Sequence, residues 1–165
     1  MKKIFILTCL FILGSNSSVL AKAYQHALFS CNYPDDWKST LDEYPTSSEI
    51  TFTKNDSTGS PTGILIQVLP APKTLDEAVK NEIAKINQNT QFQTFVSQTQ
   101  TKVSGEPATQ LIRKIHTQAI KAKQTDTFVQ KSGHLFHISY VIEETQNEVD
   151  LVKLFEETIK SLVLK

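Results

Sequence analysis

The sequence contains only two cysteines in 165 residues. Two cysteines exclude a disulfide-rich scaffold and a zinc site built from four thiolates. An excess of positive charge is also absent, because 17 Lys and Arg residues balance 17 Asp and Glu residues. This balance argues against a dedicated nucleic-acid-binding protein. The apolar fraction of 39% is too high for a disordered chain. A near-neutral globular protein of one domain is the natural interpretation.

Glycine is scarce as well. After the first 23 residues, only Gly59, Gly63, Gly105 and Gly133 remain, and their spacing forms no phosphate-binding loop. The Gly-x-Ser-x-Gly motif of hydrolase nucleophiles is absent too. We therefore predict no catalytic residue, no cofactor and no enzymatic activity. The alternative is a hydrolase whose site assembles from residues scattered along the sequence.

Long hydrophobic runs are limited to the N-terminus. Two lysines follow Met1, and Ile4 to Leu13 is an apolar run of about ten residues. That is the length of a signal-peptide core and is shorter than the ~20 residues of a membrane-spanning helix. Small residues then offer cleavage after Ala21 or Ala23. The sequence therefore predicts a signal peptide over residues 1–23 and one domain over residues 24–165.

Export would change the composition of the mature chain. Cleavage after Ala23 removes three lysines and no acidic residue, so the mature chain is slightly acidic. It also retains a single cysteine, Cys31, so no internal disulfide can form and a packed core must stabilise the domain. We predict a periplasmic or secreted protein of a bacterial envelope, with no membrane span after processing and no nucleic-acid partner.

Alternation of apolar and polar residues predicts several strands. Between Ala27 and Tyr33, Phe29, Cys31 and Tyr33 share one face. The run from Gly63 to Leu69 is apolar almost throughout, which predicts that both of its faces are covered. The segment from His134 to Ile142 alternates clearly. Further strands are predicted at 49–53, 92–103, 108–116 and 121–130, with loops at 40–48 and 54–61 and a turn at 104–107.

Two helices are predicted from apolar residues at helical spacing. The first covers residues 74–88 and opens with a capping box formed by Thr74 and Glu77. The second covers Asn147 to about Leu162. Because consecutive strands are joined by short connections, they should pair antiparallel. The predicted class is α+β, an antiparallel β-sheet with helices packed on it as a layered α/β/α sandwich.

Several short motifs occur together along this chain. A strand ends in Tyr-Pro-x-x-Trp at residues 33–37, a capped helix begins with Thr-Leu-Asp-Glu at 74–77, and Gly-Glu-Pro-Ala at 105–108 opens a hairpin. A closing helix contains Glu-Thr-Ile-Lys-Ser-Leu at 157–162. With these motifs the chain resembles the PsbP-like superfamily over about residues 25–163. The superfamily includes PsbP, bacterial DcrB-type envelope proteins and a Ran-binding eukaryotic branch. The resemblance implies an accessory or binding protein and transfers no catalytic residue.

The histidines and Cys31 are the side chains best suited to metal binding or catalysis, but their spacing in the sequence indicates no such site. His134 and His137 are three apart on a predicted strand and point to opposite faces, so they cannot hold one metal ion together. His116 could approach His134 or His26 across strands. We predict no metal site, and we expect the histidines at hairpin ends and edges in contact with solvent. Cys31 alternates with aromatic residues, which predicts a buried thiol.

Aromatic and acidic residues near strand ends are the best candidates for a binding surface. The candidate surface consists of Trp37, Tyr44, Asp35 and Asp36, and the expected partner is an unidentified protein or small ligand. The favoured alternative for Trp37 is burial, with its ring folded toward Phe29 or toward the apolar face of the strand at 134–142.

Overall fold

The computed structural model describes residues 21–55 and 61–165. Residues 1–20 of the predicted signal peptide and residues 56–60 of the predicted loop lie outside this range. The strands are β1 (Ala21–Gln25), β2 (Phe29–Pro34), β3 (Lys38–Tyr44), β4 (Ser47–Asn55), β5 (Pro61–Pro70), β6 (Gln93–Val103), β7 (Glu106–His116), β8 (Lys121–Lys131), β9 (His134–Glu143) and β10 (Val163–Leu164). The helices are α1 (Leu75–Gln88) and α2 (Glu148–Lys160).

The strands form two antiparallel sheets. The larger sheet has seven strands in the order β3-β4-β5-β9-β8-β7-β6, and the smaller sheet has three in the order β1-β2-β10. Helix α1 packs on one face of the large sheet against β6, β7 and β8. Helix α2 contacts β9 on the other face and also contacts β2 of the small sheet. The predicted α+β class, an antiparallel sheet with helices packed on it, is confirmed.

Two tight turns set the register of the large sheet. Ser104 and Gly105 join β6 to β7 with φ angles of 55° and 83°, and Ser132 and Gly133 join β8 to β9 with φ angles of 52° and 79°. Two successive positive φ angles match the right-handed twist of the flanking strands. The first turn is shorter than predicted, because Glu106 already belongs to β7.

The main core lies between the large sheet and the layer formed by α2 and the small sheet. Its fully buried aromatic residues are Phe29, Phe52, Phe136 and Phe155. Strand β9 supplies alternate residues to this core, as its sequence pattern predicts. A smaller core lies under α1, where Val79 packs with Leu111, Phe128 and Leu135. Each face of the sheet is thus covered by its own apolar cluster.

Both helices begin within one residue of the predicted position, and a side chain caps each of them. The Thr74 hydroxyl accepts a hydrogen bond from the Glu77 backbone N–H at 3.1 Å, which satisfies one of the free donors of the first turn of α1. The Asn147 side chain caps α2 and accepts from the Asp150 backbone N–H. Acidic residues occupy the first turn of each helix, where they interact favourably with the helix dipole.

Two strands differ from the sequence-based expectation. The prediction of a loop over residues 40–48 is wrong, because Thr40 to Tyr44 belong to β3, and all seven residues of this strand are exposed. An edge strand without a buried residue shows no hydrophobic alternation, so the sequence pattern cannot reveal it. Strand β1 pairs with β2, and its register places Ala21 opposite Pro34. It therefore includes the last three residues of the predicted signal peptide.

Gly63 has a steric role in β5. A Cβ atom at this position would lie 2.5 Å from the Phe52 carbonyl oxygen on β4, which is closer than any real Cβ contact. A glycine therefore permits the close approach of β4 and β5. The prediction that β5 is covered on both faces holds in part, because Ile64, Ile66 and Val68 are buried whereas Gln67 is half-buried.

Candidate functional site

The four residues of the candidate surface do not lie together. Trp37 is only 2% exposed and packs edge-to-face on Phe155 with ring centroids 5.9 Å apart. Tyr44 is 50% exposed and ends β3, whereas Trp37 precedes its first residue. At about 3.3 Å per residue, the two lie roughly 20 Å apart along the strand. Trp37 is therefore a core residue and offers no ring to a partner, which corrects its place in the candidate surface.

Asp35 and Asp36 lie in the turn between β2 and β3, beside the buried Trp37. Asp36 forms an exposed ion pair with Lys54 of β4. The hydrogen bond from Lys54 lowers the pKa of the Asp36 carboxyl. Asp35 is exposed. Because Asp36 is already paired with a lysine, this turn offers at most one further carboxylate, which is a weak basis for binding a cation.

Tyr44 lines a surface cleft of about 360 Å³ at one end of the large sheet. We call it the Tyr44 cleft. It forms where the β3–β4 turn, the end of β5, the β8–β9 turn and the β1–β2 connection meet. Its lining residues are Leu28, Tyr44, Pro45, Thr46, Ser47, Ser48, Val68, Leu69, Pro70, Gly133 and His134. This lining contains no Lys, Arg, Asp or Glu side chain, so the cleft suits an uncharged group with an apolar part.

Hydrogen bonds inside the protein occupy polar groups of the Tyr44 cleft. The Ser48 hydroxyl donates to a Glu43 carboxylate oxygen at 2.8 Å. The His134 Nδ1 atom lies 3.0 Å from the Ser132 carbonyl oxygen. Among the described residues, no cleft hydroxyl is hydrogen-bonded to His134.

A row of charged and polar side chains crosses the α1 face of the large sheet, and the sequence pattern does not reveal it. We call it the charged row. It contains five ionisable side chains and one glutamine from six different elements: Glu82, Arg113, Asp126, His137, Glu49 and Gln67. The Asp126 side chain at its centre has no solvent exposure. A charge that is buried this deeply must be paired, because desolvation of an isolated carboxylate is very costly.

Arg113 joins α1 to the sheet within the charged row. Its Nη1 atom donates to Glu82 and to Gln93, each at 3.1 Å. Its Nε atom lies 3.3 Å from Asp126 Oδ2, although the direction of this N–H gives an ion pair and not a well-formed hydrogen bond. The other carboxylate oxygen of Asp126 accepts from Gln124 at 2.8 Å.

His137 lies between two acceptors in the charged row. Its Nε2 atom is 2.9 Å from Asp126 Oδ1, and its Nδ1 atom is 2.9 Å from Gln67 Oε1. The Gln67 amide nitrogen donates to Glu49 at 2.7 Å, which turns its oxygen toward the histidine. The tautomer of the ring decides which of these two nitrogens donates a hydrogen bond. The Phe128 ring stacks on His137 at 4.5 Å.

The expected solvent contact of the histidines is therefore wrong for His137, whose side chain is 14% exposed. His116 ends β7 near the Thr90 carbonyl oxygen, whereas His134 begins β9 and pairs with Lys131. The register of the sheet places these two residues at opposite ends of the large sheet. Residues 21–55 and 61–165 contain no group of three or more His, Cys, Asp or Glu side chains that could hold a metal ion.

Cys31 faces the main core from β2 and is 3% exposed. Burial raises the pKa of its thiol to about 12, because an apolar environment disfavours the thiolate. The prediction of a buried thiol is confirmed. A thiol of this kind is a poor nucleophile near neutral pH, since the thiolate is the reactive form.

We expect Cys31 to react with a maleimide at pH 8 about a thousandfold more slowly in the folded protein than in urea, because the raised pKa suppresses the thiolate. The measurement is the labelling rate followed by mass spectrometry. A Ser39→Cys variant supplies the control, since Ser39 lies on the exposed strand β3 and its thiol should label quickly in the folded state. Rapid loss of both thiols from the folded variant would show that Cys31 is accessible.

The fold and its clefts place this chain among layered α+β domains in which a helix covers one face of an antiparallel sheet, and a second helix with a small sheet covers the other. The chain belongs to the family of PsbP-like proteins, whose model matches residues 13–164. None of the curated proteins with which the sequence was compared matches it.

Solved structures share the fold at low sequence identity. Cyanobacterial PsbP (CyanoP) from Synechocystis sp. PCC 6803 is 12% identical with a TM-score of 0.64, and the match covers 92% of this chain and 96% of that chain. LpqN from Mycobacterium tuberculosis, which is described as involved in cell envelope biogenesis, is 13% identical with a TM-score of 0.57 and coverage of 88% and 91%.

A crystal structure of a protein from Bacteroides thetaiotaomicron VPI-5482 is 17% identical with a TM-score of 0.56. The match covers 84% of this chain but only 45% of that chain, so this chain spans less than half of its length. At these identities the likeness concerns the fold alone. No helix among residues 21–55 and 61–165 is both long enough and apolar enough to cross a membrane.

Proposed function

We propose that the chain is an exported, non-enzymatic accessory protein of the bacterial envelope that binds a protein partner or a small ligand at the Tyr44 cleft. The observation that carries this proposal is the cleft itself, where a half-exposed tyrosine stands among apolar and hydroxyl-bearing residues without any carboxylate, lysine or arginine side chain. Such a lining suits an apolar group of a partner. Membership of the PsbP-like family supports an accessory or binding role.

A periplasmic or secreted location is supported by the N-terminal sequence, which has the charge and length of a signal peptide. Of the two cleavage positions, we favour the one after Ala21. Cleavage there keeps Lys22, whose ammonium group donates to the Trp37 carbonyl oxygen at 3.3 Å, and it keeps most of β1 paired with β2. Cleavage after Ala23 would leave only two residues of this strand.

Fractionation of cells that express the full chain tests export. We expect a processed protein in the periplasm or the medium, with an N-terminus at Lys22 that mass spectrometry can read. A mature form beginning at Tyr24 would support export but would contradict our choice of cleavage position. Protein that keeps Met1 and stays in the cytoplasm would contradict export itself.

Photo-crosslinking in cells tests the Tyr44 cleft. A photoreactive phenylalanine analogue in place of Tyr44 should form a discrete crosslinked product, because the half-exposed ring points to the ligand or partner. The same analogue in place of Val149 is the matched control, since Val149 is 77% exposed and lies on α2, away from the cleft. Equal crosslinking at the two positions, or none at Tyr44, would contradict binding at the cleft.

A further inference from the structure

The two edges of the large sheet differ sharply in charge. Strand β3 forms one edge and carries Lys38, Asp42 and Glu43 among its seven residues. Strand β6 forms the other edge and carries only Lys102 among its eleven residues, with no proline. Charged residues and prolines are the usual features that keep sheet edges from pairing with another strand. The β3 edge has this protection, whereas the β6 edge has one charge near its end.

The backbone of β6 is suited to accept another strand. Within the described residues it pairs only with β7, and the register shifts between Phe95 and Ser97, where a bulge interrupts the ladder. From Ser97 to Val103 the pairing with β7 is continuous, and residues 98–102 are all exposed. The N–H and C=O groups on the outer side of this stretch therefore face away from the described part of the chain and have no strand partner within it.

We propose that β6 pairs antiparallel with β6 of a second copy of this chain, so that two seven-stranded sheets join edge to edge around a two-fold axis. In a symmetric antiparallel pair one residue lies opposite its own copy. With Gln98, Thr99 or Gln100 at that position, Lys102 lies opposite an uncharged residue of the other copy. The exposed stretch is thus complementary to itself, with threonine and glutamine side chains meeting one another and no like charges opposed.

A second copy fits this edge better than a charged partner does. The central residues of the stretch are Gln98, Thr99 and Gln100, which carry no charge that could select an acidic or a basic peptide. Val96 is exposed beside them and would be covered in the pair. Because β3 lies at the opposite edge, pairing through β6 leaves the Tyr44 cleft open on both copies. The dimer and the proposed binding site are therefore separable by experiment.

Sedimentation velocity over a range of protein concentrations tests the proposal. We expect the residue 22–165 protein to shift from monomer to dimer as its concentration rises. Replacing both Gln98 and Gln100 with lysine should raise the dissociation constant about tenfold or more, because each of the three central registers then places two lysines opposite each other. A Ser39→Lys, Thr40→Lys double variant adds the same charge to the exposed β3 edge and should dimerise like the original protein.

Three variants, each with a single cysteine at position 98, 99 or 100, give a second measurement. It does not depend on whether β6 tolerates lysine substitutions. Under mild oxidation we expect one of the three positions to form a disulfide-linked dimer well before the others, because only one residue lies opposite itself, whereas Cys31 is buried and should not compete. A cysteine at Thr40 is the control and should stay monomeric. A protein that remains monomeric at all concentrations, or cysteines at 40 and at 98–100 that crosslink equally, would overturn the proposal.

Discussion

Replacing Asp126 with alanine is expected to lower the free energy of unfolding by about 3–5 kcal/mol, which is the usual cost of removing one partner from a buried ion pair. Asp126 has no solvent exposure and is the centre of the charged row. Its loss would leave the Arg113 guanidinium and the His137 ring without their shared acceptor. Both side chains are largely buried, at 12% and 14% exposed, so water can replace the lost carboxylate only in part.

Urea unfolding followed by circular dichroism measures this effect. Glu148→Ala is the matched control, because Glu148 pairs with Lys123 at the surface, where both side chains are at least 40% exposed. Removal of an exposed pair should cost less than about 1 kcal/mol. The loss of stability in Asp126→Asn should lie between the losses in these two alanine variants, since asparagine keeps an oxygen that can accept a hydrogen bond from His137. Equal stability of the Asp126→Ala and Glu148→Ala variants would show that the charged row does not stabilise the fold.

The elements with a buried face were predictable from the sequence. In β9 the residues Phe136, Ile138, Tyr140 and Ile142 alternate and are all buried, so the period-2 pattern marks the strand directly. Helix α1 combines apolar spacing with a capping residue and begins one residue after Thr74. In both elements the apolar spacing in the sequence matches the face that is buried in the structure.

The charged row could not be predicted because it depends on register. Asp126, His137 and Gln67 are distant in the sequence and meet only because β8, β9 and β5 are neighbours in the sheet. One signal was present in the sequence. Asp126 stands between Thr125 and Thr127 in a segment that continues as Phe-Val, and a carboxylate inside a central strand needs a buried partner. The sequence does not say which residue that partner is.

The candidate surface illustrates a similar limit. Tyr44 and Trp37 are seven residues apart in the sequence, and with a loop between them they could share a surface. Because β3 is an extended strand, it separates them, and the exposed Tyr44 joins the cleft while the Trp37 ring enters the core. The favoured alternative of a buried Trp37 is confirmed, and its ring packs on Phe155 of α2 within the main core.

Trp37→Ala should destabilise the protein by about 3–5 kcal/mol, as large-to-small changes of buried aromatic residues do. The ring packs edge-to-face on Phe155, which in turn stacks on Tyr140 with centroids 4.5 Å apart. Its removal therefore leaves a cavity where the β2–β3 turn, α2 and β9 meet. For a domain of this size the melting temperature should fall by on the order of 10 °C.

Tryptophan emission and thermal melting test this prediction on the same samples. Trp37 is the only tryptophan, so the emission of the folded protein reports on this site alone and should be shifted to the blue of the unfolded chain. Trp37→Phe should lose less stability than Trp37→Ala, because a smaller ring can still contact Phe155. Val149→Ala removes a side chain that is 77% exposed and should leave the melting temperature nearly unchanged. If Trp37→Ala melts like Val149→Ala and the native emission is already that of a solvated indole, then Trp37 lies at the surface and is again a candidate contact for a partner.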